Sequence, residues 1–214
     1  MAAATLASLK IQRPSESNLA VTVLDRELRV ILLTAANRNS GITSSSLSMA
    51  SELARTSRGR VLLVDTSLSD NSLTRRLDLG ERPGFLDLAL ADTPPLLAQC
   101  IESSDELGFD FLPLGRRQQY AERLTPELLQ ELLQALAADY RFVIIDGDPV
   151  YSSGDILTLS TQVDGVVLVV RSSTPAWVSD GARNDVAQDE RSTRLSVGRQ
   201  VKPTLGFMLL PKSS

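Results

Sequence analysis

The sequence predicts an α/β fold of three layers, in which a mostly parallel central sheet is covered by helices on both faces. Short apolar runs alternate along the chain with segments of helical periodicity, as in consecutive β–α units. Most of these runs are continuously apolar rather than alternating, which is typical of strands buried on both sides. The predicted strands are 29–35, 60–65, 109–114, 140–146, 165–171 and 204–210.

Helices between these strands are predicted from leucine spacing and capping residues. Thr125 and Pro126 form a typical N-cap and first helical position, and the leucines that follow recur on one face. We interpret this stripe as core packing against the sheet. The segment 180–200 is charged and is either a surface helix or a partly ordered loop. Further helices are predicted at 44–55, 84–90 and 94–103.

Length and composition bound the function. The 214 residues suit one domain with a sizeable core, and we expect 1–18 to be flexible and 19–212 to form that domain. No apolar run approaches the ~20 residues of a membrane span, and the N-terminus lacks a signal-peptide pattern, so we expect a cytoplasmic location. Having no histidine and one cysteine excludes histidine nucleophiles and zinc clusters, and the net charge of −4 argues against nucleic-acid binding.

The stretch TAANRNSGITSSS, residues 34–46, lies where a phosphate-binding loop would lie, after the first strand and before a helix. Two further strands end in acids, Asp65 and Asp146. Ligands of open α/β sheets bind beyond the carboxyl ends of the strands, so this loop and these acids are expected to share one site. A strand-end aspartate can also simply cap the next helix, and that interpretation stays open. Asp148 is expected to be an exposed loop acid.

Two stretches, 60–91 and 140–175, resemble a known family. The matching positions are Arg82-Pro83-Gly84, Asp87, Ile144-Ile145-Asp146, Pro149, Asp155, Asp164-Gly165 and Val169-Val170-Arg171. They resemble the cytoplasmic domain of the bacterial tyrosine autokinases (BY-kinases) that regulate capsule and exopolysaccharide synthesis. These are deviant P-loop ATPases related to the septum-site and chromosome-partitioning ATPases. The resemblance covers about 28–212 and implies a P-loop NTPase-like fold.

The family's first motif, G-x-G-K-[ST]-[ST], is altered in this chain. Gly41 stands at its second glycine, but Asn39 replaces the earlier glycine and Ile42 replaces the lysine. Arg38 is the nearest cation in sequence, and we expect it to be a surface residue. The resemblance therefore implies a vestigial phosphate loop made of Asn39, Ser40, Gly41, Ile42, Thr43 and Ser44.

The second and third motifs are altered as well. In D-x-D-x-R, Asp65 is retained, whereas Ser67 and Ser69 replace the second acid and the arginine. In D-x-P-P, Asp146 is retained and Asp148 replaces the first proline. The family's adenine-reading asparagine falls near Leu210, and its tyrosine-rich tail is not found in this sequence.

These departures predict a catalytically degenerate, pseudokinase-like accessory protein of polysaccharide synthesis and export, and they favour a non-enzyme without settling the point. By resemblance its partner is a membrane-embedded chain-length or export protein, which would hold it peripherally at the inner membrane. The vestigial acids Asp65 and Asp146, together with Thr43, could still hold Mg²⁺ beside weakly bound ATP or ADP. Homo-oligomerisation stays open.

Two alternatives remain at this level. One is an active ATP-dependent tyrosine autokinase or ATPase with an unorthodox loop, which predicts Mg²⁺-dependent ATP binding. The other is a positioning protein like the septum-site and chromosome-partitioning ATPases, which predicts dimerisation on nucleotide.

Overall fold

The computed structural model of the chain describes residues 19–116, 124–152, 154–172 and 204–211. Its helices are α1 (Leu19–Asp25), α2 (Ile42–Thr56), α3 (Leu73–Arg76), α4 (Phe85–Leu90), α5 (Leu97–Cys100), α6 (Pro126–Asp139) and α7 (Gly154–Ser160). Its strands are β1 (Val30–Ala35), β2 (Val61–Asp65), β3 (Glu102–Ser104), β4 (Phe109–Leu112), β5 (Phe142–Asp146), β6 (Gly165–Ser172) and β7 (Thr204–Pro211).

These strands form one seven-stranded sheet in the order β3-β4-β2-β5-β1-β6-β7. The five inner strands, from β4 to β6, pair in parallel. The two edge strands, β3 and β7, run antiparallel to their neighbours. The predicted mostly parallel α/β sheet is confirmed, and each of the six predicted runs contains a strand.

Helices cover both faces of the sheet, as the continuous apolar runs predict. Every residue of β1, β2 and β5 is buried. Alternate strand residues face two separate buried clusters, one shared with α1 and α2 and the other with α4, α6 and α7. In α6, Leu129, Leu133 and Leu136 are buried, and Thr125 caps the helix by accepting from the Leu128 N–H group. Among the described helices, none has the length and apolar character that crossing a membrane would require.

The structure differs from the sequence-based prediction at two places. The helix predicted at 94–103 is only α5, and the chain then enters β3, a three-residue edge strand with alternating burial. That run is too short to give a periodic signal, and its inward residues, Glu102 and Ser104, are polar. Helix α1 was not predicted either, although Ala20 and Val23 are buried against α2. Segments 1–18 and 180–200 lie outside the described residues.

The family-like segment around Gly84 joins α4 to the end of β4. The N–H groups of Phe85 and Leu86 donate to the carbonyls of Pro113 and Leu114 at 2.8 and 2.9 Å. Asp87, fully buried, accepts from the Gly84 N–H group at 2.9 Å. A Cβ atom at Gly84 would lie 2.1 Å from the Pro113 carbonyl oxygen, so this close crossing requires a residue without a side chain.

We therefore expect Gly84→Ala to lower the free energy of unfolding by about 1–3 kcal/mol, because the backbone at Pro113 must move to admit the methyl group. Gly80→Ala is the matched control, since a Cβ atom there meets nothing within 4 Å. Urea denaturation of both variants measures the difference. Equal stabilities would contradict the close packing at Gly84.

Candidate functional site

A polar cavity of about 620 Å³ opens at the carboxyl ends of β1, β2 and β5. It is bordered by the loop after β1, the start of α2, the loop after β2 and the loop after β5. The lining residues are Arg38, Asn39, Ser40, Gly41, Ile42, Thr43, Ser44, Ser67, Leu68, Ser69, Asn71, Arg76, Gly147, Asp148, Pro149 and Ser152. All six residues of the predicted loop belong to it.

The loop after β1 bends inward through two left-handed residues. Asn39 has φ 59° and Gly41 has φ 91°, and asparagine and glycine are the residues that tolerate this conformation best. Helix α2 begins directly after Gly41, and its first helical hydrogen bond runs from the Ser45 N–H group to the Gly41 carbonyl at 3.0 Å. The N–H groups ahead of that bond have no helical acceptor, and they form the positive end of a helix dipole at the cavity.

Ile42 belongs to the hydrophobic core. Its side chain is only 8% exposed and lies in the buried cluster shared with α1 and α2. Isoleucine places no cationic group at the cavity that this residue borders, and its apolar packing holds the first turn of α2 in place.

The two predicted acids lie side by side in the interior. Asp65 and Asp146 are paired in the β2–β5 register, and both are fully buried. One Asp65 oxygen accepts from the Ser67 N–H group at 3.0 Å, and the other accepts from the Thr74 N–H and hydroxyl groups, both at 2.7 Å. Asp65 thus caps the turn into α3, which is the helix-capping role that the sequence left open.

Asp146 has fewer partners than Asp65. Its Oδ1 accepts from the Ser46 hydroxyl at 2.9 Å, whereas its Oδ2 has no hydrogen-bond partner. Burial raises the pKa of Asp146 to about 8, and the negative charge of the neighbouring Asp65 adds to this effect. The Thr43 and Ser46 hydroxyls lower the pKa by a smaller amount. Burial also raises the pKa of Asp65, although its three hydrogen bonds oppose this.

Asp148 is buried, so the expectation of an exposed loop acid was wrong. It is 8% exposed and accepts from the Ser67 hydroxyl at 2.5 Å and from the Leu68 N–H group at 2.9 Å. Its backbone carbonyl accepts from the Thr34 hydroxyl at 2.7 Å. Two departures from the family pattern, Ser67 and Asp148, are therefore hydrogen-bonded to each other.

Two arginines line the cavity, and sequence reasoning considered only one of them. Arg38 is exposed in the loop after β1, as expected. Arg76, the last residue of α3, also lines the cavity, although 34 positions separate it from Ile42 in the chain. Spacing alone could not reveal this, because the turn that Asp65 caps is what brings α3 to the cavity.

Comparisons with known proteins agree with this architecture. The tyrosine-protein kinase YwqD of Bacillus subtilis is 26% identical over 161 residues, which is 75% of this chain and 67% of YwqD. EpsB of Ralstonia nicotianae, also named a tyrosine-protein kinase, is 27% identical over 165 residues, which is 77% of this chain but only 22% of EpsB. No protein-family model matches the chain.

Solved structures point the same way. The VpsO kinase domain has a TM-score of 0.61 at 26% identity, over 85% of this chain and 91% of the VpsO chain. The BceF tyrosine kinase domain has a TM-score of 0.54 at 26% identity, over 75% of this chain and 64% of that one. The chain is a bacterial tyrosine-kinase-like domain. The predicted resemblance and the P-loop NTPase-like fold are both confirmed.

Kinases of the family that this chain resembles bind ATP and Mg²⁺. The residues of this domain suit the phosphate groups better than they suit the metal. The loop amides and the dipole of α2 suit phosphate. The acids suit a metal less well, since both Asp65 oxygens already accept hydrogen bonds. Within the described ranges, no group of three His, Cys, Asp or Glu residues could hold a metal ion. Magnesium binding by Thr43, Asp65 and Asp146 stays a prediction.

The raised pKa of Asp146 predicts how stability depends on pH. Its folded pKa of about 8 lies above the ordinary value of 3.8, so the folded state holds a proton that the unfolded state releases as pH rises between these values. Stability should therefore fall through this window by at most about 1.4 kcal/mol per pH unit. Asp146→Asn should flatten the fall, and the variant should be more stable than the parent at pH 8.

Urea denaturation at pH 5, 6, 7 and 8 measures this effect. Asp65, whose pKa is also raised, should leave a residual slope in the variant. Parallel pH profiles for parent and variant would show that Asp146 is ionised in the folded domain throughout this range.

Proposed function

We propose that this domain is a catalytically inactive regulatory or accessory protein of exopolysaccharide or capsule synthesis. The proposal is carried by Ile42, whose side chain is 8% exposed within the core where the resemblance places the family's loop lysine. Phosphoryl transfer depends on positioning and on neutralising the charge of the phosphates, and that lysine is part of the neutralisation. Isoleucine offers neither charge nor a hydrogen-bond donor.

The polysaccharide context is supported by the relatives. One is a Klebsiella pneumoniae protein named as a tyrosine kinase in the cps region, 24% identical over 160 residues. This chain spans 22% of that protein and 22% of EpsB, so the activities of the whole relatives come to it only as proposals. We extend the family expectation of a membrane-embedded chain-length or export partner, which would place the domain at the cytoplasmic face of the membrane.

The alternative is an active tyrosine autokinase or ATPase. It is favoured by the retention of Asp65 and Asp146, which are paired in the β2–β5 register beside the loop. The Thr43 side chain is also close enough to Asp146 to lower the pKa of that carboxyl group. In that case Mg²⁺-ATP would be turned over, and Asp146→Asn would abolish turnover.

Turnover measurements with Mg²⁺-ATP separate the two functions. We expect neither phosphate release nor autophosphorylation above buffer for the parent chain, and none for Ile42→Lys, because Ser67 and Ser69 still stand where the family has an acid and an arginine. Ile42→Leu, which conserves side-chain volume, serves as the control for folding.

Turnover by the parent that Asp146→Asn removes would establish the alternative. Full activity in Ile42→Lys alone would mean that the remaining departures are harmless to catalysis.

A further inference from the structure

The cavity holds two positive charges without described ionic partners. Arg38 and Arg76 both line it and are both exposed. Neither forms an ion pair or a side-chain hydrogen bond with another residue in the described part of the chain, whereas Arg75, beside Arg76 on α3, lies 3.7 Å from Asp70. Arg75 lines a different, smaller cavity. The positive charge that Ile42 does not supply is thus present at the cavity on Arg76, at the end of α3.

The carboxylate group that lines the same cavity already accepts hydrogen bonds. Both carboxylate oxygens of Asp148, the acid in the lining, accept hydrogen bonds from the loop after β2. The remaining lining groups include donors from the loop and helix start, among them the exposed Ser44 hydroxyl and the Asn71 amide. Free donors, two guanidinium groups and a helix N-terminus together suit an anion with several oxygens.

We propose that this cavity binds the diphosphate group of a small-molecule ligand without a divalent metal, and that Arg76 supplies the charge which the loop lysine supplies in the family. The proposal rests on the proposed function, since it concerns binding by a domain that does not transfer phosphate. A guanidinium group donates two parallel hydrogen bonds to phosphate oxygens, which a single point charge cannot do. Two such groups offset the diphosphate charge that Mg²⁺ would otherwise neutralise.

Calorimetric titration of the full chain with pyrophosphate, ADP and UDP, each in EDTA and in Mg²⁺, tests the proposal. We expect binding of all three in EDTA and no tightening by Mg²⁺ beyond about threefold. Arg76→Gln should weaken binding about 10- to 100-fold, the loss expected for charge-assisted hydrogen bonds. Arg75→Gln, the matched control on the same helix, should stay within about twofold of the parent.

The three ligands distinguish the source of affinity. Equal affinities place recognition in the diphosphate alone, and tighter ADP or UDP adds a contact to the nucleoside, both in agreement with the proposal. Equal affinities of ADP and of adenosine, which is titrated alongside as a ligand without phosphate, or no binding of any diphosphate at millimolar concentration, would overturn it. So would binding that requires Mg²⁺, or equal effects of Arg75→Gln and Arg76→Gln.

Two further measurements keep the outcomes separate. Because Arg76 is exposed, the Arg76→Gln variant should unfold at the same temperature as the parent, which shows that its fold is intact. Arg38→Gln is a second variant at the cavity and should also weaken binding. ATP turnover by the parent chain would refute the proposed function, whereas loss of metal-free diphosphate binding would refute only this inference.

Discussion

The hydrogen bond from the Ser67 hydroxyl to Asp148, 2.5 Å long, joins the two loops on which the cavity depends. Asp148 also accepts from the Leu68 N–H group, and its carbonyl accepts from Thr34 at the end of β1. One buried residue therefore fixes the carboxyl ends of β1, β2 and β5 relative to one another. A buried carboxylate without donors would cost several kcal/mol, so this geometry is strongly specified.

The same requirement organises the acids behind the cavity. The parallel register brings Asp65 beside Asp146, where neither can reach water. Asp65 is satisfied by the turn into α3, and that turn carries Arg76 to the cavity. Asp146 is left with one unpartnered oxygen and a raised pKa. The site therefore keeps its shape through internal hydrogen bonds, and its positive charge lies on arginines rather than on a loop lysine.

Much of the fold could be predicted from sequence, because buried parallel strands leave continuous apolar runs and helices leave leucine stripes. The short strand β3 left no such signal. The loop was located correctly, since Gly41 and the helix after it follow from position along the chain. Asp148 and Arg76 could not be placed, because their environments depend on how three separate loops pack. Asp148, which replaces a proline of the family motif, is expected from sequence alone to be a surface residue. Its burial becomes understandable only once Ser67 is known to lie opposite and to donate a hydrogen bond to it.

A double-mutant cycle on Ser67 and Asp148 tests most directly whether internal hydrogen bonds hold the site. Unfolding free energies are measured for the parent, Ser67→Ala, Asp148→Ala and the double variant, with Thr161→Ala and Asp148→Ala as an independent pair. We expect a coupling of about 1–3 kcal/mol between Ser67 and Asp148, and additivity within about 0.5 kcal/mol for the control pair. A coupling near zero between Ser67 and Asp148 would contradict it.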